Sequence, residues 1–218
     1  MSSKKFLDLI EKQRSKKVSK KFEGTFLDYL EMIQKNPSIA KSSHKRLFEA
    51  ITGKGSSVLA DDDPRKRKVF NGDAVKVYDY FSSEFFGMEN VIEKIMRFLK
   101  GAAMRGEESR QVLLLMGPVG AGKSALTEHI KKALDGEVYY HLEGDPQRGE
   151  PLQLLPRSLR TQFEEMLSVK IEGDLSPIAR WKLLNEFEGH YENFPVVQSS
   201  FSQRGRRGIA SVPPMDAN

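Results

Sequence analysis

Apolar residues follow helical spacing near the start of the chain. Phe26, Leu27, Tyr29, Leu30 and Ile33 recur after Gly24-Thr25 and predict a helix with Thr25 as its N-cap. Pro37 interrupts this run, and a second helix is expected to end near Ile51. Residues 53–74 lose the periodicity in favour of Gly, Ser, an acidic triplet and a basic cluster, the composition of a linker. From Tyr78 the pattern changes to an aromatic-rich turn, Phe85-Phe86-Gly87. A helix follows from about Glu89, with Val91, Ile92, Ile95, Met96 and Leu99 on one face. Residues 112–116 form a continuous apolar run of buried-strand length. Ala125, Leu126, Ile130, Ala133 and Leu134 then predict a helix that Gly136 stops. A second strand is expected over 137–142, a proline-punctuated loop over 144–156, helices near 158–167 and 178–187, and a further strand over 196–201. No internal repeat is visible. Strands alternating with helices point to an α/β fold.

One segment in this pattern carries chemistry. The apolar run leads directly into Gly117-x-x-x-x-Gly122-Lys123-Ser124, and a helix opens at its end. A strand before and a helix after is the arrangement a phosphate-binding loop requires. Gly117, Gly120 and Gly122 let the backbone curl so that several N–H groups converge on one anion. The unpaired N–H groups and positive dipole end of the helix face the same point. Lys123 supplies a flexible charge for the β- and γ-phosphates, and the Ser124 hydroxyl is the expected Mg²⁺ ligand. The expected ATP-binding set is Gly117, Pro118, Val119, Gly120, Ala121, Gly122, Lys123, Ser124 and Ala125. This chain is read as binding a nucleoside triphosphate.

Composition narrows the remaining classes. With 218 residues and 39% hydrophobic content the chain can build one sizeable core and a small accessory region. No apolar run approaches the length of a membrane span. The absence of cysteine removes disulfides and thiolate metal sites, and fits a cytoplasmic protein. The net charge of +5 is concentrated rather than spread. Residues 1–21 carry eight Lys/Arg against Asp8 and Glu11, so the rest of the chain is close to neutral, which disfavours nucleic acid as a partner. Phe6, Leu9 and Ile10 would suit an amphipathic contact, although a frayed terminus is the plainer reading. Arg204, Arg206 and Arg207 have the composition of a surface loop.

A nucleotide hydrolase needs a second carboxylate after an apolar strand. The best match is VYYHLEGD, offering Glu143 and Asp145, but it follows the P-loop helix where an edge strand is expected. No arginine finger or sensor residue is assignable, so the catalytic residues are unknown. His44, His129, His141 and His190 share no metal-ligand spacing. His129 is expected on the solvent side of the P-loop helix, Trp181 in the core, and Asp61, Asp62 and Asp63 in a solvated linker.

Several stretches taken in order resemble the N-terminal AAA+ domain of the bacterial PrkA-type serine protein kinases. They are EGTFLDYLE (23–31), YFSSEFFGMENVIEKI (80–95), LLLMGPVGAGKS (113–124), GEPLQLLP (149–156), IEGDLSPIARWKL (171–183) and FSQRGRRGIASVPPMDAN (201–218). The resemblance implies a three-layer P-loop (AAA+) core over 75–218, incomplete at its C-terminal end, without a recognisable second acid, sensor or arginine finger. A basic tail over 1–22, a small helical region over 23–52 and a linker over 53–74 precede it. By the same resemblance Phe86 and Gly87 lie at the adenine. ATP and Mg²⁺ are the implied cofactors, protein serine or threonine the implied substrate, and homo-oligomers of the AAA+ kind the implied assembly. Phosphoryl transfer would belong to a region outside this chain, leaving these residues to bind ATP with little turnover. The sequence departs from the family pattern at Ala121, where glycine is common, and at Ser176 and Ala179, where cysteine is expected. The rival readings are an AAA+ remodelling or proteolytic machine, a small-molecule P-loop kinase, and a nucleotide-gated interaction module.

Overall fold

The computed structural model describes residues 22–60, 63 and 76–201. The basic tail, most of the expected linker and the QRGRRG cluster lie outside the described residues. The elements in chain order are β1 (Glu23–Thr25), α1 (Phe26–Lys35), α2 (Ser43–Thr52), β2 (Ser56–Val58), β3 (Lys76–Tyr78), α3 (Asp79–Ser82), α4 (Glu89–Ala103), α5 (Lys123–Lys132), β4 (Val138–Leu142), α6 (Arg157–Leu167), α7 (Pro177–Asn185) and β5 (Pro195–Ser200). They gather into two compact units. Among the described residues, one combines 22–40 with 138–199, and the other combines those between 41 and 137 with 200–201. The expected helical region over 23–52 is thus shared, α1 going to the first unit and α2 to the second.

In the first unit β5 is the middle strand of the order β1-β5-β4. β1 runs antiparallel to β5, pairing Glu23 with Val197, Gly24 with Val196 and Thr25 with Pro195. This strand was not anticipated, because three residues are too few to show an alternating pattern. α1 begins where expected. Thr25 Oγ1 accepts from Asp28 N–H at 3.3 Å, and Asp28 Oδ2 accepts from Thr25 N–H at 2.7 Å, a complete capping box. Those bonds, the backbone one foremost, hold the Asp28 carboxyl below its ordinary range. The buried face of α1, Phe26, Tyr29 and Ile33, packs with Leu142, Leu152, Leu155, Phe194 and Val196. Tyr29 is fully buried, and its hydroxyl donates to Glu150 Oε1 at 2.6 Å, so the polar end is satisfied.

His141 of β4 is also buried. Its Nδ1 lies 3.0 Å from the Leu142 carbonyl, which can only accept, so Nδ1 carries the proton. Nε2 then accepts from the Ser199 hydroxyl at 2.9 Å. Burial, the largest effect, pushes the imidazole below its usual value, because the charged form is poorly solvated there. Between that lowered value and about pH 6.5 the unfolded chain binds the extra proton. The stabilisation is therefore complete above about pH 6.5 and lost as pH falls through the folded value. A melting temperature followed from about pH 7 to about pH 5 should fall, and His141→Gln should flatten that fall; parallel curves for the two proteins would contradict this.

In the second unit β2 and β3 form an antiparallel pair, Ser56 with Tyr78 and Val58 with Lys76, at the two ends of the stretch expected to be a linker. α4 buries Ile92, Ile95, Met96 and Leu99 against Ile51, Tyr78, Phe81 and Leu126. Val91, expected on that face, is exposed.

The clearest departure from expectation is the run before the P-loop. Residues 112–116 join neither sheet among the described residues. Val112 is 90% exposed and Met116 85%, rather than buried in a strand. A strand exists only as one side of a ladder, and apolar content alone does not supply the partner. Leu113 and Leu115 instead line a cavity of about 350 Å³ with Leu47, Phe98 and Ile130.

Candidate nucleotide-binding site

The loop over 117–122 turns on two left-handed glycines, Gly120 at φ +84° and Gly122 at φ +75°. A side chain at either would be strained, which accounts for glycine at both. Ala121 between them avoids positive φ, so its methyl group is tolerated without that cost. Its N–H donates to the Pro118 carbonyl at 3.3 Å and tightens the turn. Gly122 is the N-cap of α5 and provides no side-chain cap, while the Leu126 N–H closes the first helical bond to the Gly122 carbonyl at 2.9 Å. The early N–H groups of α5 therefore have no side chain competing for them. Lys123 Nζ folds back and donates to the Gly117 carbonyl at 2.8 Å and the Pro118 carbonyl at 2.6 Å. This places a full positive charge at the mouth of the loop. Val119 in the loop and Ser124 and Ala125 in the first turn of α5 are exposed.

The aromatic turn divides its two phenylalanines. Phe85 is partly buried and packs on Phe81, with ring centroids 6.3 Å apart. Phe86 is 81% exposed. Gly87 has φ +72°, and the space where a Cβ would sit is open. A Cβ at Gly122 would lie 4.0 Å from Met88 Sδ, so the end of the aromatic turn abuts the phosphate loop. The structure thus brings the neighbour of Phe86 and Gly87 to the loop residues, although the sequence separates them by some thirty positions.

Other expectations need correction. His129 is 7% exposed, not on the solvent side of its helix. Ala125 is exposed, and the inward stripe is Leu126, His129 and Ala133, which share one face of α5. Trp181, expected in the core, is 58% exposed, and Ile178 and Leu184 on the same helix are exposed with it. Asp145 is 5% exposed and is held by its own loop and by the N-cap of α7. It accepts from Ser176 Oγ at 2.8 Å, Gly149 N–H at 2.8 Å and Gln147 N–H at 3.2 Å. A buried carboxylate used this way shapes the loop that carries it. Among the described residues no group of three or more His, Cys, Asp or Glu is placed to hold a metal ion.

Comparison with known proteins decides the family. The family model of the PrkA AAA domain matches residues 24–218. The chain belongs to this family. The PrkA AAA match takes in α1 and α2 as well as the P-loop part. The chain is 37% identical to the ATP-dependent protease PrkA of Bacillus subtilis (strain 168), over 96% of its own length and 32% of the relative's. It is 33% identical to the serine/threonine kinase YeaG of Escherichia coli (strain K12), over 90% of its length and 31% of the relative's. A shorter match, 38% over 61 residues, is to a mitochondrial Lon protease homologue of Yarrowia lipolytica. The chain therefore spans about a third of the PrkA and YeaG relatives. No solved structure matches it significantly. Membership of the PrkA AAA family implies a P-loop nucleotide-binding fold of mixed α/β type and ATP as ligand. No helix among the described residues is long and apolar enough to cross a membrane.

Proposed function

We propose that this chain is the MgATP-binding AAA+ portion of a PrkA-like serine/threonine protein kinase, with phosphoryl transfer carried out by polypeptide outside it. The observation that supports the binding part is the loop itself, with two left-handed glycines, a helix start without a side-chain cap and Lys123 Nζ folded onto the loop. The triphosphate would lie on the N–H groups of 117–125. Ser124, exposed at the first turn of α5, fits as a single Mg²⁺ ligand, since Mg²⁺ takes its remaining ligands from phosphate and water. The adenine would lie beside Phe86 and Gly87. A three-layer core over 75–218, self-association in the AAA+ manner, a protein substrate and a cytoplasmic location belong to the same reading. The kinase part leans on the printed name of the E. coli relative.

A second reading, an ATP-driven proteolytic or remodelling machine, is favoured by the name of the B. subtilis relative and by the Lon match. The two are separated by one assay on the protein as its gene encodes it, with γ-labelled ATP and casein as the probe. Label on casein of unchanged length supports the kinase reading. ATP-stimulated shortening of casein without label supports the proteolytic one. The 218-residue chain alone should show little ATP turnover, because no second carboxylate is recognisable in the sequence after a strand beside the P-loop; robust turnover would show that Glu143, Asp145 or another acid has been misread.

A further inference from the structure

His129 lies two helical turns into α5, six positions after Lys123, and away from the loop that would touch phosphate. Its polar contacts run to one segment. Nε2 is 2.9 Å from the Tyr80 carbonyl, so the ring donates there. The Tyr80 hydroxyl returns a bond to the His129 carbonyl at 2.6 Å. Nδ1 is 2.9 Å from Glu84 Oε2, an ion-pair distance at an angle too poor for a directed hydrogen bond, so that contact is electrostatic only. The imidazole also stacks among Tyr80, Phe81 and Phe85, with centroids 4.4, 5.6 and 5.2 Å away.

All of these partners belong to the turn that continues into Phe86, Gly87 and Met88. The far end of that turn comes close to the phosphate loop, where a Cβ at Gly122 would lie 4.0 Å from Met88 Sδ. The turn thus runs from its contacts with His129 on α5 to the neighbourhood of the cap of the same helix. A leucine at 129 would fill the space but not supply the donor to the Tyr80 carbonyl.

We propose that His129 is a positioning residue for the nucleotide base: it clasps the aromatic turn to the P-loop helix and so fixes the base-side wall relative to the phosphate site. This rests on the nucleotide-binding reading above. It predicts that His129 governs the part of affinity that comes from the base and not the part that comes from phosphate.

The test is calorimetric titration of the 218-residue chain with ATP and, separately, with inorganic tripolyphosphate. His129→Ala should weaken ATP by about tenfold, since it removes the Nε2 donor and the ring packed among Tyr80, Phe81 and Phe85 together. Tripolyphosphate affinity should stay within about twofold, and His129→Gln, whose amide can replace the Nε2 donor, should recover most of the ATP loss. Tyr80→Phe keeps the ring stacking and removes only the hydroxyl bond, and should weaken ATP by about threefold with the same selectivity. Equal losses for both ligands, or no loss in either variant, overturn the role of His129. Failure of the wild-type chain to bind either ligand overturns the nucleotide reading itself, a different and recognisable outcome.

Discussion

Replacing Lys123 by alanine is expected to weaken ATP binding by tenfold or more. The ammonium donates to the Gly117 and Pro118 carbonyls and so stands at the loop mouth, already placed for phosphate. A charge-assisted hydrogen bond is worth about 1.5–3 kcal/mol, and about 1.4 kcal/mol is tenfold in affinity. Lys123 is half-buried but its acceptors Gly117 and Pro118 are exposed, so its removal leaves no buried group unpaired and the fold should be unaffected. Calorimetry on the wild-type and variant chains measures the change directly, and equal affinities would reject the assignment of the loop. Arginine at this position should not restore binding fully, because its planar fork does not reproduce a point charge in a tight loop.

The second large effect is on stability. Phe194 is fully buried at the start of β5, packs on Phe187 with centroids 4.8 Å apart, and its carbonyl accepts the N–H of Phe26 at 2.9 Å. It stands where the sheet and α1 of the first unit meet. Phe194→Ala removes the ring, leaves a cavity and should cost about 3–5 kcal/mol. Urea unfolding followed by circular dichroism gives the difference. A loss below about 1 kcal/mol would mean that this core is loosely packed or that the ring is not buried as described.

What the sequence revealed and what it hid divide along physical lines. α1 was legible because Thr25, Asp28 and the spacing of Phe26, Tyr29 and Ile33 act locally, within one turn or two. The P-loop was legible for the same reason, since Gly120, Gly122 and Lys123 do their work within a few residues of one another. β1 and the β2–β3 pair were not legible, because their partners are distant in sequence and each strand has only three residues. Residues 112–116 show the opposite error: strong strand character with no ladder among the described residues. His129 was misplaced because polarity suggests an outward side chain, whereas a ring that donates to the Tyr80 carbonyl and packs among Tyr80, Phe81 and Phe85 is accommodated inside. Asp145 was legible as an acid but not as one already committed to Ser176 and Gly149, since nothing local in the sequence shows those partners.

The family is shown by the match over residues 24–218, and the glycine conformations of the loop are in keeping with the ligand class that the family implies. The division of labour between kinase and protease is not carried by the loop, which serves either chemistry.

The central claim is that residues 117–125 hold the phosphates of ATP. It is tested most directly by titrating the purified 218-residue chain with ATP and Mg²⁺ in a calorimeter. Saturable one-to-one binding in the micromolar range, abolished or weakened at least tenfold in Lys123→Ala, is the predicted result. A wild-type chain that gives no binding heat up to millimolar ATP, or that binds ATP as well without Lys123 as with it, would contradict it.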